Sequence, residues 1–218
     1  MKLLTIESST NEICSVALRK NQEIDFLQKF SYNNHSQIIL KIIHKILIRK
    51  SISLKDISYL AISKGPGSFT GLRISINIAQ GFSTGLKIPL IGVSTLKILA
   101  EHARRKTLYN NFIVILQANK KNIYWGKYSF YKKKCFLHKK ELYISNELAI
   151  KKIEKIQTKW KIIGKINSNM LKKINLKNFI SDIYPTALDI IPFAMEIIKT
   201  HRKIKQQIFP NYLNNKVI

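Results

Sequence analysis

The sequence predicts a layered α/β fold built as two similar halves, and three patterns predict it. Each half opens with three runs of strand-like residues parted by short polar turns. Each then switches to apolar runs that alternate with helix-period segments, an order that gives a sheet covered by helices. Six of the eight glycines fall in the first hundred residues, leaving only Gly126 and Gly164 beyond. The halves are expected to divide as 1–104 and 105–218, since a helical pattern ends in Arg104, Arg105 and Lys106. The terminal helix can pack back on the first lobe.

The elements follow in order. Residues 3–6 are a short apolar run, and residues 7–11 a polar turn. Residues 13–19 alternate with period two, as a strand does. Residues 23–31 form the third strand. Three antiparallel strands at the start fit the opening of an RNase H-like or actin-like half. From Ser36 the rows Ile39, Ile43, Leu47 and Ile38, Ile42, Ile46 make a broad apolar stripe on a helix. Residues 57–62 are the next strand. A sharp glycine-rich turn leads to a second helix that runs to about Gly85, with Ser68 or Thr70 as its N-cap. Residues 89–93 are a short strand, and Ser94 caps a helix over 95–105. The second half repeats the opening with strands at 111–116, 123–131 and 135–143. A helix at 147–156, a strand at 161–163 and a long helix at 187–204 complete it.

Composition excludes several classes. The 218 residues hold 38 Lys+Arg against 12 Asp+Glu, a net charge of +26, with 45% hydrophobic residues. That hydrophobic share supplies a core, so the charge does not imply disorder. A basic chain suggests a nucleic-acid partner. Yet there are 32 Lys and 6 Arg, 38 Ile and 4 Val, and 17 Asn. A/T-rich codons specify Lys, Ile and Asn, so mutational bias raises all three together. The ratios favour bias over a selected basic surface, because arginine is the better bidentate reader of phosphate. The apolar run near the N-terminus stops at Glu7, too short for a secretory core. No window offers a membrane span, since even residues 38–48 contain Lys41, His44 and Lys45. Cys14 and Cys135 are far apart, with no CxxC. The expectation is therefore a cytoplasmic protein with no disulfide framework and no cysteine-based metal site.

Residues 64–90 carry the sharpest local signal. Gly65, Gly67 and Gly71 permit tight turning and close approach, and Pro66 fixes its own φ. A glycine-rich loop feeding a helix is a ready anion site, but it is equally a plain strand-to-helix turn. No Walker lysine follows the glycines. In the second helix Gly71, Ser75, Ala79 and Ser83 form a ridge of small residues, and Gly81 and Gly85 a second pair. Two readings stay open: packing against the sheet, or a close crossing by a helix of another subunit. The first helix supports the second reading, because one sheet face rarely covers a helix that is apolar nearly all round.

The run Ser63, Lys64, Gly65, Pro66, Gly67, Ser68, Phe69, Thr70, Gly71, Leu72, Arg73, Ile74, then Ala79, Gln80, Gly81, then residues 88–96, resembles the TsaB (YeaZ-type) family. Residues 6–9, 14–18, His35 with Ser36, 124–126, Tyr184 with Pro185, and 210–213 match as well. The match is dense over 1–100 and patchy beyond. The resemblance implies a two-lobed fold of the actin-like ATPase (ASKHA, RNase H-like) superfamily. It implies a non-catalytic subunit needed to place a threonylcarbamoyl group on the adenosine 3′ of the anticodon, in tRNAs that read codons beginning with adenine. Such a subunit binds and activates the catalytic paralogue TsaD together with the ATPase TsaE, and touches tRNA through that complex. It can form a homodimer by the same two helices. The interface is accordingly expected at His35, Ile39, Ile43, Leu47, Gly71, Ser75 and Ala79. No intrinsic cofactor is implied, although a nucleotide, ATP or ADP, can sit at the joint of the assembled complex.

Catalytic residues are not expected. The paralogue would need two histidines four apart on a helix to hold a metal, whereas His35, His44, His102, His138 and His201 contain no such pair. Glu7 stands where the superfamily keeps a phosphate-site carboxylate and is read as its vestige, or as a carboxylate bonding its own turn. Gln117, Ala118 and Asn119 replace an acidic segment of the relatives, and Asn214 replaces an arginine. Residues 120–177 hold 17 Lys and 3 Glu, net +14, interleaved with aromatics. A direct tRNA-binding module on this stretch is the alternative function. The competing reading is a strand pair with aromatics in the core and lysines in water, and strand periodicity favours it.

Overall fold

The computed structural model describes residues 1–30, 35–156, 159–166, 172, 178–200, 207–211 and 213. The chain divides into two compact units, residues 1–98 with 185–211, and residues 99–184 with 212–218.

The first unit is built on five strands in the order β3-β2-β1-β4-β5. They are β1 (Lys2–Glu7), β2 (Ile13–Lys20), β3 (Glu23–Phe30), β4 (Tyr59–Ser63) and β5 (Leu90–Val93). The first three are antiparallel; β4 pairs parallel with β1, and β5 parallel with β4. Strand alternation divides the side chains of β1 between two covered faces. Leu4 and Ile6 join the core beneath α1 (His35–Arg49) and α2 (Phe69–Leu86). Thr5 points the other way, where its hydroxyl donates to Ala187 O at 2.8 Å in α5 (Ala187–Lys199). Ala187 N–H in turn donates to Ser15 Oγ at 2.9 Å. Burial on both faces explains why β1 reads as a continuous apolar run rather than a clean alternation.

The second unit repeats this plan. Its strands run β11-β10-β6-β7-β8, with β9 also on β7. They are β6 (Asn111–Gln117), β7 (Asn122–Tyr131), β8 (Lys134–Leu137), β9 (Leu142–Ser145), β10 (Lys161–Lys165) and β11 (Phe179–Ile180). Here too the opening strands are antiparallel and the later ones parallel. This duplicated topology is the actin-like arrangement the sequence led us to expect. Helix α4 (Asn146–Glu154) covers one face through Ala149 and Ile153, against Ile113, Ile115, Ile123 and Trp125. Helix α3 (Thr95–Lys106) begins in the first unit and ends in the second.

Three elements differ from expectation. The run 135–143 is two strands, because residues 138–141 bulge opposite Gly126 and Lys127. His138 N–H donates to Lys127 O at 2.8 Å, and Lys139 turns the chain at φ 68°. Tyr128 folds its ring across Gly126, where a Cβ would lie 2.5 Å from ring carbon Cε2, and its hydroxyl donates to Glu141. The last helix stops at Lys199, with Thr200 as its cap and the Thr200 hydroxyl turned back to Glu196 O at 2.9 Å. Its expected continuation to 204 falls outside the described residues. Strand β11 has only two residues, too few to show a period.

Burial separates two neighbouring positions on α1. Ile43 is 2% exposed and Leu40 is 47% exposed. Ile43→Ala should therefore cost about 2–5 kcal/mol in urea unfolding. Leu40→Ala should stay within about 0.5 kcal/mol of the parent chain.

Candidate functional site

The glycine-rich loop closes on the turn that follows β1. Ser68 N–H donates to Ser9 O at 2.7 Å, and Ser8 Oγ donates to Gly71 O at 2.7 Å. A Cβ on Gly67 would meet Ser9 O at 2.4 Å, and one on Gly71 would meet Ser8 O at 2.0 Å. Only glycine lets the two backbones approach this closely. The Ser68 hydroxyl caps α2 by accepting from Gly71 N–H at 3.2 Å, as the sequence suggested. Gly65 sits at φ +100° and precedes a cis Pro66; its carbonyl accepts from Thr95 N–H at 3.0 Å. Backbone carbonyls of Ser8 and Ser9 occupy the approach to Gly67 and Gly71, and the amides of Ser68 and Gly71 already have partners. Phe69, Thr70 and Arg73 instead face outward, with the Arg73 guanidinium 3.7 Å from the centre of the Phe69 ring.

Glu7 lies behind this loop and is buried. Its Oε1 accepts from Ser9 N–H at 2.6 Å and from the Ser9 hydroxyl. Its Oε2 has no hydrogen-bond partner of proper geometry, and neither do the buried hydroxyls of Ser63 and Thr95. Burial pushes the Glu7 carboxyl up from its ordinary value of 4.5; bonds from Ser9 and the proximity of Ser63 oppose this, and the nearby Asp189 adds to it. Asp189 is itself buried in the first turn of α5, where its Oδ2 accepts from Thr186 Oγ1 at 2.6 Å. Two carboxyls, Glu7 and Asp189, thus lie near each other, with the hydroxyls of Ser9 and Ser63 beside the first and that of Thr186 beside the second. The sequence reading found Glu7 but missed Asp189, Ser63 and Thr95. The spacing of Thr186 and Asp189, three apart at a helix start, was the available signal.

A cleft of about 510 Å³ opens elsewhere in the same unit, between the edge of β5 and residues 207–211. Lys64 is its one cation among the described residues that line it. Gln80 Nε2 donates to Ile208 O at 2.7 Å, and Asn211 N–H to Lys64 O at 2.6 Å, which ties residues 207–211 down. Tyr212, Asn214 and His201 lie outside the described residues. Among the described residues no group of three or more His, Cys, Asp or Glu could hold a metal ion. Among them, too, no helix is long and apolar enough to cross a membrane.

The two helices sort their small and apolar residues by direction. Ile39, Ile43, Leu47, Gly71, Ser75 and Ala79, expected at an interface, are all buried in this chain's own core. His35 is also buried, and its Nε2–H donates to Asn11 O at 3.2 Å. The ridge of Gly71 and Ser75 exists because α2 must approach the β1–β2 turn and the sheet. Gly81 and Gly85 behave oppositely: a Cβ on either would meet nothing within 4 Å. They lie on the outward face of α2 with Asn77 and Thr84, beside half-buried Ile74, Ile78 and Phe82. On α1, Leu40 and Ile48 (64% exposed) face outward. The surface a partner can reach is therefore this outer set.

Two measurements check the site. Gly71→Ala should cost about 2–3 kcal/mol from the clash with Ser8 O, whereas Gly81→Ala should add about 0.5–1 kcal/mol to stability. For Glu7, the folded carboxyl holds its proton to higher pH than the unfolded one. Stability should therefore fall as pH rises from about 4.5 through the folded value, then level off. Urea unfolding of Glu7→Gln at pH 5 and pH 8 should show this loss removed.

Comparison with known proteins agrees with this architecture. Residues 28–191 match the family model described as TsaD: tRNA N6-adenosine threonylcarbamoyltransferase. A Buchnera aphidicola (from Acyrthosiphon pisum) protein described as tRNA threonylcarbamoyladenosine biosynthesis protein TsaB is 37% identical, over 98% of each chain. The Escherichia coli K12 protein of the same description is 30% identical, over 100% of this chain and 96% of its own. A solved structure of YeaZ from Pseudomonas aeruginosa superposes with a TM-score of 0.82 at 25% identity, over 97% of this chain and 99% of that one. The chain belongs to the TsaB (YeaZ-type) family, within the wider group that the TsaD family model describes.

Proposed function

We propose that this chain is a non-catalytic subunit in the formation of threonylcarbamoyladenosine on tRNA. Its relatives carry that pathway in their descriptions. In this reading it docks on the catalytic paralogue TsaD and holds it in an active arrangement, with the ATPase TsaE as the third member. A homodimer by the same surface is the state without the paralogue. The observation that carries the docking is the outer face of α1 and α2. It presents Leu40 and Ile48 on α1, and on α2 two glycines with open space above them. A glycine in a helix interior costs stability, about 0.5–1 kcal/mol relative to alanine. Here no neighbour among the described residues requires it, and a closely crossing helix would.

The chemistry of the chain supports a helper rather than an enzyme. Glu7 is sealed behind Ser9, and the glycine-rich loop is closed by backbone carbonyls. Any nucleotide is then held at the joint with a partner, and tRNA is reached through the assembled complex. The reading places the chain in the cytoplasm, where tRNA is modified.

The test is co-purification of the full chain with TsaD. Gly81→Arg and Leu40→Asp should each weaken recovery of TsaD at least about tenfold while the isolated chain stays folded, because neither position has a buried role. Retention of both TsaD and threonylcarbamoyladenosine formation in the two variants would remove this surface as the docking site.

A further inference from the structure

The second unit carries a surface that the partner helices do not explain. On one face of β7, Ile123 and Trp125 lie under α4. The next three positions of that face, Lys127, Ser129 and Tyr131, run on beyond the helix. Register places Phe136 opposite Ser129 and Lys134 opposite Tyr131, so β8 adds its side chains to the same face. Tyr131 is 67% exposed and Phe136 is 48% exposed. Lys127 Nζ lies 4.2 Å from the centre of the Trp160 ring, and His138 meets that ring edge-on and lies 2.7 Å from Ser129 Oγ. The result is a stripe in which aromatic rings and cations alternate, with no carboxylate among these residues.

The hairpin tip strengthens the case. Lys132 and Lys133 hold φ values of 46° and 65°, the left-handed pair of a two-residue turn. Glycine and asparagine suit such positions, and a lysine there costs about 1 kcal/mol or more. Codon bias toward A and T would supply asparagine as readily as lysine, and the chain has 17 asparagines. Lys87 and Lys139 also hold positive φ, so what distinguishes this turn is the pair of exposed rings beside its lysines. Two exposed rings flanked by four cations on an open sheet face match what single-stranded RNA requires. Bases stack on the rings and phosphates meet the cations.

We propose that this stripe, Lys127, Tyr131, Lys132, Lys133, Lys134 and Phe136, binds a single-stranded segment of the tRNA substrate. The proposal rests on the tRNA-linked role above. It adds a direct contact made by this chain. Tyr131 and Phe136 each take one base, and the lysines take the phosphates. Trp160 is buried and only anchors Lys127 and His138.

The experiment uses the full chain and a fluorescent single-stranded oligouridylate, with bulk tRNA as competitor and a double-stranded RNA of equal length as control. The double variant Tyr131→Ala/Phe136→Ala should weaken oligouridylate binding about tenfold or more with an unchanged salt slope. Lys132→Gln/Lys133→Gln/Lys134→Gln should flatten the log–log salt slope by about 2. Removing three exposed lysines of α4 and its end, Lys151, Lys152 and Lys155, should have a clearly smaller effect. Equal binding by the aromatic variant, equal loss from the α4 lysines, or equal affinity for the duplex would each overturn the proposal. TsaD co-purification with the stripe variants separates the two readings: it persists if only the RNA contact is lost.

Discussion

The first unit depends on one close contact, the packing of the turn after β1 against the start of α2. Ser8 and Ser9 bring their carbonyls to within van der Waals reach of Gly71 and Gly67, and any side chain there would collide. The contact has three consequences. It sets how near α2 lies to the sheet, and so which face of that helix is buried. It occupies the backbone approach to Gly67 and Gly71, so the loop closes on protein there. It also covers Glu7, whose carboxyl loses water and rises in pKa as a result.

From that contact the division of small residues follows. Gly71 and Ser75 are small because the helix must come close to its own sheet. Gly81 and Gly85 are small with nothing among the described residues that demands it. Sequence spacing treats both sets alike, since each recurs every four residues. The same holds for the isoleucines of α1. The rows through Ile39 and Ile43 belong to the core, whereas Leu40 and Ile48 stay exposed. A helix read as apolar nearly all round has its expected interface residues inside this chain's own core.

The charge separates in the same way. Four of the eight Phe, Tyr and Trp in residues 120–177 do what strand periodicity suggested: Trp125, Tyr128, Phe130 and Trp160 are buried. Tyr131 and Phe136 lie past the end of the covering helix and stay in water beside lysines. A net charge of +26 over the whole chain says little about partners when biased codons also supply lysine. A cluster of lysines in costly backbone conformations beside exposed rings says more.

By itself the sequence determined the fold class, the duplicated order of strands and helices, a helix start within Ser68 to Thr70, and the family. These depend on local period, turn chemistry and a dense motif over residues 63–74, all of which are written in adjacent residues. The tertiary structure decided what the sequence left open. It settled which glycines serve the chain's own packing, that the run 135–143 breaks opposite Gly126, and that Asp189 comes to lie near Glu7 from 182 positions away. The reason is physical: whether a side chain is buried depends on what lies across from it, and that neighbour is set by the meeting of distant segments rather than by periodicity.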